Sequence, residues 1–93
     1  MALKKILDCS AVWCGPCKAL SVTFDKISEM DKYKDVAFNK VDIDTDEGAT
    51  VVEKYMIRSI PTLVLLDENE EVLDKLFGNI QEDKLLEIID KHL

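Results

Sequence analysis

The sequence lacks most of what would place it outside a small globular class. No apolar run approaches the roughly 18 residues that a membrane-spanning helix needs, and the longest, IPTLVLLD at 60–67, stops at an acid. No membrane partner is therefore expected. Lys/Arg clusters are absent too, and acids outnumber bases 19 to 12 for a net charge of −7, which argues against nucleic acid as a direct partner. Behind Lys4 and Lys5 the apolar stretch meets Asp8 almost at once, without a small-residue cleavage pattern. No export signal is read there, and the cytoplasm is the expected compartment. The chain shows no internal repeat, linker or low-complexity segment, and no glycine-rich nucleotide fingerprint. Its 93 residues, 47% of them hydrophobic, suffice for one modest core and leave no room for a second, so residues 1–93 are read as a single domain.

What is present is a regular alternation of apolar segments. LKKILDCS (3–10) fits a strand. From Gly15 to about Met30, Leu20, Phe24 and Ile27 recur at steps of four and three, the spacing of one helical face. VAFNKVDI (36–43) reads as a second strand, and TDEGATVVEKY (45–55) as a helix with acids in its first turn. Strands separated by helices of this length lie parallel. TLVLL (62–66) and VLDKLF (72–77) form a hairpin around Asn69, a residue that tolerates the left-handed conformation of a tight turn. An amphipathic helix over 81–92, with Leu85, Ile88, Ile89 and His92 to one side, closes the chain. The order is βαβαββα: an α/β fold with a four-stranded mixed sheet and three helices.

Only three cysteines occur, too few for a secreted disulfide scaffold in a chain read as cytoplasmic, and two of them frame Gly15-Pro16 in AVWCGPCKAL (11–20). Pro16 in a first helical turn sacrifices no hydrogen bond, because that turn's N–H groups lack intrahelical acceptors. Cys14 then sits at the helix N-terminus, where partial positive charge favours a thiolate and a nucleophile. Cys17, three residues on, faces the same side. The spacing brings the two Cα atoms within the approximately 4.4–6.8 Å that a disulfide tolerates.

WCGPCK together with Ile60-Pro61-Thr62 some forty residues on resembles the thioredoxin family, over essentially all of residues 3–93. The resemblance implies a thioredoxin-like fold and a protein-disulfide reductase: Cys14 attacks a substrate disulfide and Cys17 attacks the mixed disulfide that results. It also implies a cis Pro61 that sets the Ile60 backbone beside the cysteines, where an extended substrate segment can pair with it. No cofactor is expected on the chain beyond the Cys14–Cys17 disulfide. Electrons would come from a thioredoxin reductase-like donor, an NADPH-dependent flavin enzyme, and pass to disulfide-containing protein substrates, with the protein acting as a monomer. A metal is not expected, because beyond this pair only Cys9 and His92 remain as cysteine or histidine ligands, at spacings that match no common zinc pattern. A purely structural disulfide fits poorly, since a two-residue loop constrains the unfolded chain very little.

Asp8 interrupts an apolar strand expected at the sheet centre, where burial without a partner raises a carboxyl pKa. By the resemblance it is the acid behind Cys17 that helps deprotonate it, a catalytic and pKa-tuning residue. Lys40 matches a family lysine that pairs with that acid. Trp13, Gly15, Pro16, Ile60, Pro61 and Gly78 are the expected substrate surface, with Gly78-Asn79 at its rim. Cys9, on the alternate sheet face, reads as a buried hydrophobe.

Several positions depart from the family. Its members begin with an additional strand and helix before the point where this sequence starts, which makes 36–43 an edge strand whose Lys40 and Asp42 discourage pairing with other chains. Ser10 replaces a frequent aromatic, Val22 a helix-kinking proline, and Met56 a glycine that closes the preceding helix. A glutaredoxin-like enzyme fed by glutathione is the nearest rival reading. A non-catalytic binding subunit with incidental cysteines is the rival from another class.

Overall fold

The computed structural model describes residues 2–93. Its elements are β1 (Lys5–Ser10), α1 (Gly15–Ser28), a single 3₁₀ turn (Asp31–Tyr33), β2 (Ala37–Asp42), α2 (Asp46–Lys54), β3 (Thr62–Leu66), β4 (Val72–Phe77) and α3 (Glu82–His92). The sheet order is β2-β1-β3-β4, with β1 parallel to β2 and the other two pairs antiparallel. The expected four-stranded mixed sheet is thus observed, with β2 at an edge. Only the 3₁₀ turn had no counterpart in the sequence pattern.

Side-chain alternation along the strands divides the core in two. Ile6, Leu63 and Leu65 meet Leu20, Phe24 and Ile27 of α1 and Leu85 and Ile89 of α3 on one face. Leu7, Cys9, Val64 and Leu66 meet Val51 and Val52 of α2 on the other. A single-residue slip of β1 would exchange these two sets. Each fully buried Leu, Ile or Phe contributes about 1.5–3 kcal/mol relative to exposure, so the two faces together fix the register. β3 is buried at every residue, which is why TLVLL has no polar alternation.

Caps mark the ends. Thr45 accepts from the Gly48 N–H at 2.9 Å to open α2. Gly48 is where α2 crosses the end of β2: a Cβ there would collide with the Asp42 carbonyl. At the other end of α2, Met56 has φ 55°, the left-handed conformation that a glycine adopts without cost. In the β3–β4 hairpin the left-handed residue is Glu70 (φ 62°) rather than the expected Asn69. The reason is local: the nearly buried Asp67 carboxylate accepts from the Asn69 and Glu71 N–H groups at 2.8 and 3.0 Å, which leaves Glu70 to reverse the chain. Glu70 is held there by Lys5 and Lys54 at 3.2 and 2.9 Å.

Candidate active site

The loop between β1 and α1 delivers both cysteines to the C-terminal end of β1. Cys14 is the N-cap of α1, with Pro16 in the first turn, and its Sγ accepts from the Cys17 N–H at 3.2 Å. The two cysteines form a disulfide with Cα atoms 5.3 Å apart. That N–H and the helix dipole would stabilise the Cys14 thiolate once the bond opens. Cys14 is 6% exposed and Cys17 2%, so both residues are largely buried, Cys14 the less so.

Ala11, Cys14 and Cys17 pack together, with Ile43 and Ile60 against them. The Ile60–Pro61 peptide is cis. The Gly78 N–H donates to the Pro61 carbonyl at 3.0 Å, so the turn after β4 (φ 74° at Gly78) is tied to the same corner. Trp13 precedes Cys14 and is 66% exposed, its Nε1 donating to the Asp44 carboxylate at 2.8 Å. The fold therefore brings together Trp13, Cys14, Gly15, Pro16, Cys17, Ile60, Pro61 and Gly78. Asp44 carried no signal in the sequence, because one acid among the four of DIDTDE says nothing about a contact 31 residues away.

Asp8 lies in β1 between Lys40 and Leu63, shares a sheet face with Ile6 and Ser10, and is fully buried. Neither carboxylate oxygen has a hydrogen-bond partner. Burial pushes its pKa up to about 6, partly opposed by the nearby Lys40 charge and reinforced by Asp25. Lys40 does not pair with Asp8 as expected: its ammonium bonds Asp25 of α1 at 2.8 Å. Asp25 is exposed and the Asp8 side chain is sealed in the core, so the lysine keeps its hydration by reaching outward. Cys9 is buried on the opposite face and its thiol is pushed up to about 11, first by burial and then by Asp8.

Two hollows accompany the site. One of about 140 Å³ lies beside Cys17, walled by Ser10, Lys18, Ser21 and Asp42. The larger, about 820 Å³, runs along β2 and α2 and has no cysteine in its walls. Among the described residues no group of three His, Cys, Asp or Glu side chains is arranged to hold a metal, and no helix is long and apolar enough to cross a membrane.

Comparison with known proteins agrees with this geometry. The family model described as Thioredoxin matches residues 2–91. Thioredoxin of Staphylococcus epidermidis is 36% identical over 90 residues, spanning 96% of this chain and 82% of the relative. Thioredoxin 1 of Synechococcus elongatus is 36% identical over 88 residues, with 95% and 78% covered. Among solved structures, the thioredoxin of Malassezia sympodialis superposes with TM-score 0.82 at 35% identity, covering 95% of this chain and 75% of that one. The thioredoxin of Fasciola hepatica gives TM-score 0.82 at 30% identity, with 99% and 82% covered.

Proposed function

The chain belongs to the thioredoxin family, and from that premise we propose that Cys14 is its attacking nucleophile and Cys17 its resolving thiol. The protein is a disulfide oxidoreductase that works by thiol–disulfide exchange, with disulfide-containing proteins as substrates and a reductase as donor. The observation that carries the assignment of roles is the capping of Cys14 Sγ by the Cys17 N–H at the start of α1, which favours a thiolate at Cys14.

In the proposed cycle the Cys14 thiolate attacks one sulfur of the substrate disulfide, and the other leaves as a thiolate and takes up a proton. Cys17 gives its proton to the Asp8 carboxylate and attacks the Cys14 sulfur, expelling the substrate's second thiol. The substrate gains two electrons and the protein is left as the Cys14–Cys17 disulfide. A base of pKa about 6, buried without a partner, suits this task near neutral pH. Lys40, bonded to Asp25, adjusts Asp8 through its field and not by contact.

Substrate docks across Trp13, Gly15, Pro16 and Gly78, and pairs its backbone with Ile60-Pro61. Residues 1–93 act as one domain and as a monomer, since one chain carries every group in the cycle. The donor is a flavin enzyme using NADPH. A reducing compartment, the cytoplasm, is where such a donor keeps the pair reduced.

The test is trapping. A Cys17→Ser protein mixed with a disulfide-bonded protein should accumulate a mixed disulfide at Cys14, identified by peptide mapping, and a Cys14→Ser protein should not. An adduct found only on Cys17, in the Cys14→Ser protein, would reverse the roles.

A further inference from the structure

We infer that Asp25 is a positioning residue for the exchange reaction: by holding the Lys40 ammonium at the surface of α1 it keeps a cation off the buried Asp8 carboxylate. The inference rests on the reading of Asp8 as the group that takes the Cys17 proton, and it assigns control of that group to a residue outside the site.

Lys40 stands next to two acids. It pairs with Asp8 in the β1–β2 register, so the two side chains leave the sheet on the same face as neighbours. Its Nζ nevertheless donates to Asp25 Oδ2 at 2.8 Å. The Asp25 side chain is 60% exposed and Asp8 is fully buried, so the outer acid receives the ammonium without stripping its water, which the inner one could not do. A lysine stem is flexible, and the acid at its tip decides where the charge rests. The consequence falls on Asp8, both of whose carboxylate oxygens are left without a hydrogen bond.

Asp25 acts through this pair and not on the cysteines. Cys17, Ser21 and Asp25 recur at steps of four along α1, which puts Asp25 just over two turns, about 12 Å, from Cys17. At that separation the field of an exposed carboxylate is largely screened. The surroundings of Asp8 are simple. Lys40 from β2 and Asp25 from α1 are the charges acting on it, β3 sets Leu63 beside it, α3 brings Leu85 and Ile89 to the same face, and Cys9 points to the other. Lys40 favours the carboxylate form, whereas Asp25 disfavours it by its own charge and by drawing Lys40 outward. Loss of Asp25 therefore makes Asp8 a weaker base by two effects of the same sign, and loss of Lys40 makes it a stronger one.

The experiment mixes the reduced protein with dithiobis(nitrobenzoate) by stopped flow across the acid range. Attack by Cys14 releases the first nitrothiobenzoate. The second leaves as Cys17 passes its proton to Asp8 and attacks the Cys14 sulfur, so two electrons pass to the reagent and the Cys14–Cys17 disulfide forms. The acid limb of this second release marks the ionisation of Asp8, and carbon NMR of the Asp8 carboxyl reads the same ionisation with no reaction under way. Asp25→Ala should move both midpoints to lower pH by about half a unit, the size of one exposed ion pair. Lys40→Gln should move them upward, and Asp25→Glu should keep the wild-type profile. In a Lys40→Gln background Asp25→Ala should shift them clearly less than it does alone. Midpoints unmoved by Asp25→Ala, moved upward, or shifted equally with and without Lys40 would overturn the role of Asp25. A second release whose pH profile is unchanged in Asp8→Asn would instead strike the reading of Asp8 as proton acceptor, and the carboxyl titration keeps the two failures apart.

Discussion

Trp13 Nε1 donates to the Asp44 carboxylate at 2.8 Å, so the exposed indole before the nucleophile is anchored to the loop between β2 and α2. Asp44 is itself fixed, since its N–H donates to Asp42 Oδ1 at 2.9 Å. The bond holds a large apolar surface in one orientation beside Cys14.

Asp44→Ala should therefore release the indole without touching either sulfur. Since Trp13 is the single tryptophan, its emission reports the release directly. The expected outcome is altered emission and a KM for a protein disulfide raised several-fold, about the value of one charge-assisted hydrogen bond. Reduction of the protein's own disulfide by dithiothreitol should stay at the wild-type rate. Equal loss in both reactions would mean that Asp44 acts on the cysteines instead.

Asp8 makes stability depend on pH with a defined sign. Its folded pKa is raised from 3.8 to about 6, so the folded state holds a proton that the unfolded chain has released. Stability attributable to this group is greatest below pH 4, declines between pH 4 and 6, and stays lower above pH 6. The span is about 3 kcal/mol, from about 1.4 kcal/mol per unit. Asp8→Asn should remove this dependence. Urea unfolding at pH 4 and pH 7 should show the variant's stability relative to wild type improving by about that amount, and a pH-independent difference would contradict the assignment.

Met56 holds a left-handed conformation and is 64% exposed, so the strain is not repaid by burial. Met56→Gly should stabilise the protein by about 1 kcal/mol, read as a higher urea midpoint with an unchanged slope.

Gly48→Ala should act in the opposite sense. The added methyl meets the main chain of β2, which cannot rotate away as a side chain would. A loss of at least about 2 kcal/mol is expected, with altered Trp13 emission as the loop that carries Asp44 is displaced.

The parts of this fold that were legible in the sequence are those set by local pattern. Leu20, Phe24 and Ile27 announce one buried face of α1, and TLVLL and VLDKLF match β3 and β4 residue for residue. The cysteine pair was legible because cap, proline and spacing lie within four residues. What escaped depends on contacts between distant segments. Lys40 sits opposite Asp8 in register yet bonds Asp25, because the choice between a buried and an exposed acid is made by solvation in three dimensions. The hairpin turn fell on Glu70 because Asp67 organises the loop from below, and the sequence pattern points only to Asn69.

The most direct test of the central claim is dithiothreitol-driven reduction of insulin, followed by turbidity, for the wild type and the Cys14→Ser protein. Catalysis by the wild type that vanishes on Cys14→Ser is the predicted result. A wild type no faster than dithiothreitol alone, or a Cys14→Ser protein as fast as the wild type, would contradict it.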